Sequence, residues 1–244
     1  MTQLFPEIIG IDGCLAGWCA VININNTWKI NVFGSLEELV NNYPRATHYL
    51  IDMPMGLSDA NCSRDLDEEM RKKLKPRHST VFQAPCREVL AMNSYNKANE
   101  LNREILGKGL SIQSWNLVPK IRELDQLLQT HPGFRDRFYE SSPELCFAGL
   151  NKGNPLLEKK SQRIGMEKRI RILSSYPNFV INSINTTLTR YNRKQVKIDD
   201  ILDAWVLCQT GVLGYENGFE IIENEETKRD SCGIPMRIAY FIEN

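Results

Sequence analysis

Apolar residues run almost unbroken through Ile8-Ile9-Gly10-Ile11 and again through Trp18-Cys19-Ala20-Val21-Ile22, with a short glycine-bearing link between them. Two such runs predict a β-hairpin. Residues 27–33 alternate as a third strand that Gly34 closes, and Ser35 with Glu38 is a capping-box signal for a short helix reaching about Asn42. Residues 47–54 turn apolar again and stop at Pro54, as a buried strand would. From about 63 to 130 the pattern is polar and helical. It holds a charged helix over 64–74 ended by Pro76, a loop over 80–87, a helix over 95–106 ended by Gly107, and a longer helix over 112–129. Residues 137–147 read as a short strand running into a loop. A helix is expected over about 164–174, with a second segment up to Tyr191. Residues 198–211 are apolar on nearly every side, which predicts a buried helix. Residues 219–222 and 237–242 add edge strands.

The order is hairpin, third strand, helix, parallel strand, a later second parallel strand and a closing buried helix. It predicts an α/β fold of the ribonuclease H-like layout: a mixed sheet, antiparallel hairpin plus parallel strands, flanked by helices, with a helical insertion after the fourth strand. At 244 residues one large core is within reach, so a single domain over 1–244 is expected, its insertion at about 63–130 packed over one end of the sheet.

The same pattern leaves several carboxylates in costly places. Asp12 interrupts an apolar strand between Gly10 and Gly13, residues that let a backbone, a metal or a phosphate approach closely. Asp12 also suits a role in ordering the turn. Asp52 ends an apolar strand, at the sheet edge where ligands of open α/β folds bind. Glu140 and Glu144 follow the next strand. Asp199 and Asp200 begin the buried helix, where the helix dipole favours acids, and Asp203 lies one turn further in on the same face as Asp200.

Composition narrows the chemistry. Hydrophobic and charged residues make up 42% and 25%, ordinary for a soluble protein, and no apolar run is long enough to cross a bilayer. The N-terminal stretch lacks the basic start and apolar core of a secretory signal. Seven cysteines without paired spacing point to reduced thiols and a cytoplasmic location. The three histidines, His48, His78 and His131, are too scattered for an ordinary zinc site. Net charge is zero, yet residues 151–197 carry eleven Lys/Arg against Glu158 and Glu167, a surplus of nine, while acids gather at Glu216, Glu220, Glu223, Glu225 and Glu226. That asymmetry suits a phosphate or nucleic-acid surface, and it also suits a solvated helix face.

If the strands lie side by side under the buried helix, Asp12, Asp52, Glu140 or Glu144, Asp200 and Asp203 converge. Like charges so close repel one another unless protonated or bridged by a hard cation, Mg²⁺ or Mn²⁺. Two such ions roughly 4 Å apart can activate a water and stabilise the leaving oxygen of a phosphodiester. Arg64, Arg71, Arg87 and Lys120, which look exposed, and Lys160 are candidates for phosphate contacts, or each is a surface ion pair. Gln113 and Trp115 suit a base by hydrogen bonding and stacking, although a helical tryptophan also suits a core.

Gly10-Ile11-Asp12-Gly13-Cys14 with Gly17-Trp18, and Ile51-Asp52-Met53-Pro54-Met55-Gly56-Leu57, resemble the domain-of-unknown-function family number 429. So do Arg64-Asp65, Val81-Phe82-Gln83-Ala84-Pro85-Cys86-Arg87, Gln113-Ser114-Trp115, Pro119-Lys120-Ile121, Pro143-Glu144-Leu145-Cys146-Phe147 and Asp199-Asp200-Ile201-Leu202-Asp203-Ala204. The resemblance spans almost the whole chain in order. It implies a nuclease of ribonuclease H-like fold. By analogy with Holliday-junction resolvases, Asp12 would be the first-strand ligand, Asp52 the acid of the next parallel strand, and Asp200 with Asp203 the helix pair. Ser142 stands where many relatives carry a histidine before the proline.

Three functions fit these residues. The first is a divalent-metal-dependent phosphodiesterase acting on nucleic acid. The second is a nucleotide-binding phosphotransferase of the actin and sugar-kinase type, weakened because neither a duplicated hairpin nor a Walker-type Gly-Lys-Ser/Thr is present. The third is a non-catalytic adaptor on the same scaffold.

Overall fold

The computed structural model describes residues 6–192, 194–224 and 227–243. Arg193, Glu225 and Glu226, counted in the charge runs above, lie outside the described residues, as do the first five residues of the N-terminal stretch. The hairpin forms as the hydrophobic pattern predicts: β1 (Ile8–Cys14) pairs antiparallel with β2 (Gly17–Ile24), and β2 with β3 (Thr27–Phe33). The link is the two-residue turn Leu15-Ala16. Ser35 Oγ accepts the N–H of Glu38 at the start of α1 (Leu36–Asn42), and Glu38 Oε2 reaches back to the N–H of Gly34. This satisfies two backbone donors at the helix entry.

β4 (His48–Ile51) then runs parallel to β1, and β5 (Phe138–Glu140) parallel to β4. Between them lie α2 (Leu66–Lys73), α3 (Tyr95–Leu106) and α4 (Ile112–Thr130), with short 3-10 turns. After β5 come α5 (Pro143–Leu150), α6 (Arg163–Leu173), α7 (Ile181–Arg190), α8 (Ile198–Asn217), β6 (Glu220–Glu223) and β7 (Arg237–Tyr240). The result is a mixed seven-stranded sheet, order β3-β2-β1-β4-β5-β7-β6, flanked by eight helices among the described residues. The expectation of an α/β mixed sheet holds.

One local expectation fails. Residues after Glu140 form a helix, not a loop, because Pro143 takes the first helical position, where its missing N–H has no bond to lose. Glu144 therefore sits in a first helical turn.

By internal contacts the chain divides into two compact units. One holds the described residues of Met1–Asp52, Arg137–Glu220 and Ala239–Asn244; the other holds Met53–Asp136 and Ile221–Ile238. The helical segment expected at about 63–130 belongs to the second. The core of the first unit is β1, β2, β4 and the α8 helix, buried continuously from Ile201 to Gly211. Trp205 of α8 stacks on Trp28, their centroids 5.5 Å apart. Each such side chain removed from water contributes about 1.5–3 kcal/mol. Strand and helix meet tightly at Gly10, where a Cβ would lie 2.2 Å from both Ala204 O and Cys208 N of α8. The glycine that the sequence offered to a backbone, a metal or a phosphate receives a helix backbone.

Candidate carboxylate site

Three parallel strands deliver the acids. One step beyond the Ile11–Ile51 pair of β1 and β4 lie Asp12 and Asp52, and the Asp52 N–H donates to Ile11 O at 3.0 Å. Glu140 pairs in register with Ile51 at the end of β5, and the Ser141 N–H continues that ladder to Ile51 O at 2.9 Å. From above the sheet, the tight contact of α8 on Gly10 fixes Ala204, and with it the neighbouring Asp203, over β1. Asp203 is 1% exposed, and Asp12 and Glu140 are buried too.

Electrostatics record the convergence. Burial pushes the Asp12 carboxyl well above the usual range, Asp203, Asp52 and Asp200 push it further, and the Lys160 ammonium opposes them. Burial lifts Asp52 to about 7, against Lys160, with Asp203, Glu140 and Glu144 adding to the rise. Asp203 rises to about 6, again through burial, although Lys160 holds it down by charge and hydrogen bond. Burial raises Asp200 as well, and the N–H of Lys197, bonded to its Oδ2 at 2.8 Å, restrains it. Lys160 Nζ donates to Asp203 Oδ2. Burial alone would depress this ammonium, but Asp203, Asp12 and Asp52 more than reverse the effect and hold it charged. Two buried aspartates, Asp12 and Asp203, and the half-buried Asp52 thus share one lysine, a poor balance of charge in a low dielectric.

Two of the acids have other partners. Glu144 holds Arg169 through both Nη2 contacts, 2.9 Å to Oε1 and 2.7 Å to Oε2, and Arg169 also donates to Gly165 O. Arg169 was legible only as one more charge in the basic run. Asp200 closes the entry of α8 by accepting the Lys197 N–H.

The basic run is partly spent on ion pairs: Lys160 on Asp203 and Arg169 on Glu144 at the site, and Lys168 on Glu158 at 2.5 Å and Arg163 on Glu167 at 2.7 Å nearer the surface. Lys152, Lys159, Arg171, Arg190, Lys194 and Lys197 are exposed.

Arg64, Arg71, Arg87, Gln113 and Lys120 belong to the second unit, and the acids to the first. None of the four cations is the exposed group its charged surroundings suggest. The Arg64 side chain is 1% exposed, taken up by Asp67 and the carbonyls of Met55 and Gly56. Arg87 is half-buried between Asp125 and Asp230. Arg71 spends Nε and Nη2 on Val81 O at 3.2 and 3.0 Å, Lys120 is half-buried and Gln113 is exposed.

Among the described residues no three His, Cys, Asp or Glu side chains stand together as ligands of one ion. A site closed by protein ligands alone, of the zinc or calcium type, is therefore not formed. Mg²⁺ and Mn²⁺ ask for less: hard oxygen donors, one or two carboxylates, the rest of the shell being water and substrate phosphate. Asp12, Asp52 and Asp203 match that donor chemistry, and their raised pKa values mark a site short of positive charge.

No helix among the described residues is long and apolar enough to cross a membrane, and all seven cysteines are free thiols, five of them buried. A family model described as "Protein of unknown function (DUF429)" matches residues 10–217. Neither the curated proteins nor the solved structures contain a match.

Proposed function

The chain belongs to this DUF429 family of proteins of unknown function, and from its carboxylate site we propose that it is a divalent-cation-dependent phosphodiesterase that hydrolyses nucleic acid. The observation that carries the reading is the meeting of Asp12, Asp52 and Asp203 from two strands and a helix, with the Lys160 ammonium as their shared counter-charge. Structural acids are normally matched, and groups held off their usual protonation by burial and like charge cluster at functional sites.

Asp12 and Asp203 would hold Mg²⁺ or Mn²⁺, which would supply charge neutralisation at a phosphate oxygen and favour hydroxide over water. Asp52 and Glu140 would orient the attacking water. The water oxygen forms a bond to phosphorus, the bond to the ester oxygen breaks, the water's proton passes to a carboxylate, and the departing alkoxide takes a proton from solvent. Glu144 acts at one remove, through Arg169. The exposed cations between Lys152 and Lys197 supply a sequence-independent attraction for a phosphate backbone.

The test is incubation of end-labelled single-stranded and duplex DNA and RNA with the protein in Mg²⁺, Mn²⁺ or EDTA. The expected result is cleavage that needs the ion and falls at least about a hundredfold in Asp12→Asn. Cleavage that persists in Asp12→Asn, or no cleavage of any substrate with either ion, contradicts the proposal.

A further inference from the structure

We propose that Lys160 is the resident counter-cation of the carboxylate site and exchanges with the divalent ion, its ammonium leaving Asp203 as the ion arrives. The inference rests on the reading of Asp12, Asp52 and Asp203 as a cation site and adds how that site is kept and loaded.

Four observations carry it. The ammonium donates to Asp203 Oδ2, and its charge acts on Asp12, Asp52 and Asp200 as well. An ion bound by Asp203 meets Lys160 as a like charge at contact distance, and the two cannot share that carboxylate without mutual repulsion. The Lys160 side chain is 42% exposed, whereas Asp203 is 1% exposed, so the lysine has a path into solvent and the aspartate has none. The backbone beneath Lys160 is pinned. A Cβ on Gly165 would lie 2.1 Å from Lys159 O, Arg169 Nη1 donates to Glu158 O, and Arg169 is itself clamped by Glu144. Exchange is therefore a rotation of one long side chain over a fixed turn, with no movement of the loop.

Calorimetric titration of Mn²⁺ at pH 8 into the wild type and Lys160→Met tests this. Lys160→Gln serves as a second neutral replacement, and Lys160→Arg retains the charge. Both neutral variants should bind Mn²⁺ at least about tenfold more tightly than the wild type, Lys160→Arg no more tightly, and the metal-free neutral variants should melt below the wild type. Tight binding by the neutral variants beside no detectable binding by the wild type would mean that the ion does not displace Lys160, and contradicts the exchange. If the wild type binds and the neutral variants bind equally or more weakly, the exchange is wrong and the cation site stands. If none of the four proteins binds, the cation site itself falls and the exchange with it.

Discussion

Two groups of buried acids in this protein are built on opposite terms. In the second unit, Arg87 lies between Asp125 and Asp230, donating from Nη1 to Asp125 Oδ1 at 2.5 Å and from Nη2 to Asp230 Oδ2. Asp230 further accepts the N–H groups of Leu57 at 3.0 Å and of Cys232 and Ile234 at 2.9 Å, while Asp125 Oδ2 accepts Gln129 Nε2 at 2.6 Å. Every carboxylate oxygen there has a donor. In the first unit, Asp12, Asp52 and Asp203 converge on one lysine, and burial raises the pKa of each. Burial of a carboxylate is common to both. What separates them is the matching, and the unmatched group is the one shaped for something that is not protein.

The largest expected effect comes from unbalancing the matched group. Arg87→Met leaves two buried carboxylates without their cation and should cost about 3–5 kcal/mol of stability, read from urea unfolding. A loss below about 1 kcal/mol would mean that the Arg87 network is no better satisfied than the site around Asp12.

The unmatched group should respond in the opposite direction. Asp52 has a folded pKa of about 7 against an ordinary 3.8, so between about pH 4 and 7 the folded state keeps a proton that the unfolded state releases. Stability from this group is full below about pH 4 and is lost as pH rises through 7. Without metal, Asp52→Asn should therefore be more stable than the wild type at pH 8, by on the order of 2 kcal/mol after solvent screening, and nearly equal to it at pH 4. Urea midpoints in EDTA at both pH values measure this; a variant less stable than the wild type at pH 8 contradicts the claim.

The contrast also marks what a sequence can carry. The hairpin, the parallel strand ending at Asp52 and the buried helix bearing Asp203 were legible because each rests on local periodicity and local turn residues. The close approach at Gly10 was legible as a need for space, though not as a helix. The partners were not legible. Lys160 and Asp203 are 43 residues apart, Arg87 and Asp230 are 143, and pairing over such distances is set by the fold alone. For the same reason Arg64 reads as a surface charge in a charged stretch, while the turn at Met55 and Gly56 folds back to take its donors. The helix carrying Glu144 had its local sign in Pro143, beside the turn-forming Ser141-Ser142 that reads as a loop.

The most direct test of the contrast is a Mn²⁺ titration of three proteins side by side: the wild type, Asp12→Asn from the unmatched group and Asp125→Asn from the matched one. The account predicts saturable binding by the wild type and by Asp125→Asn with equal affinity, and none by Asp12→Asn. Binding by Asp12→Asn that equals the wild type would contradict it, because the unmatched carboxylates would then not be where the cation goes.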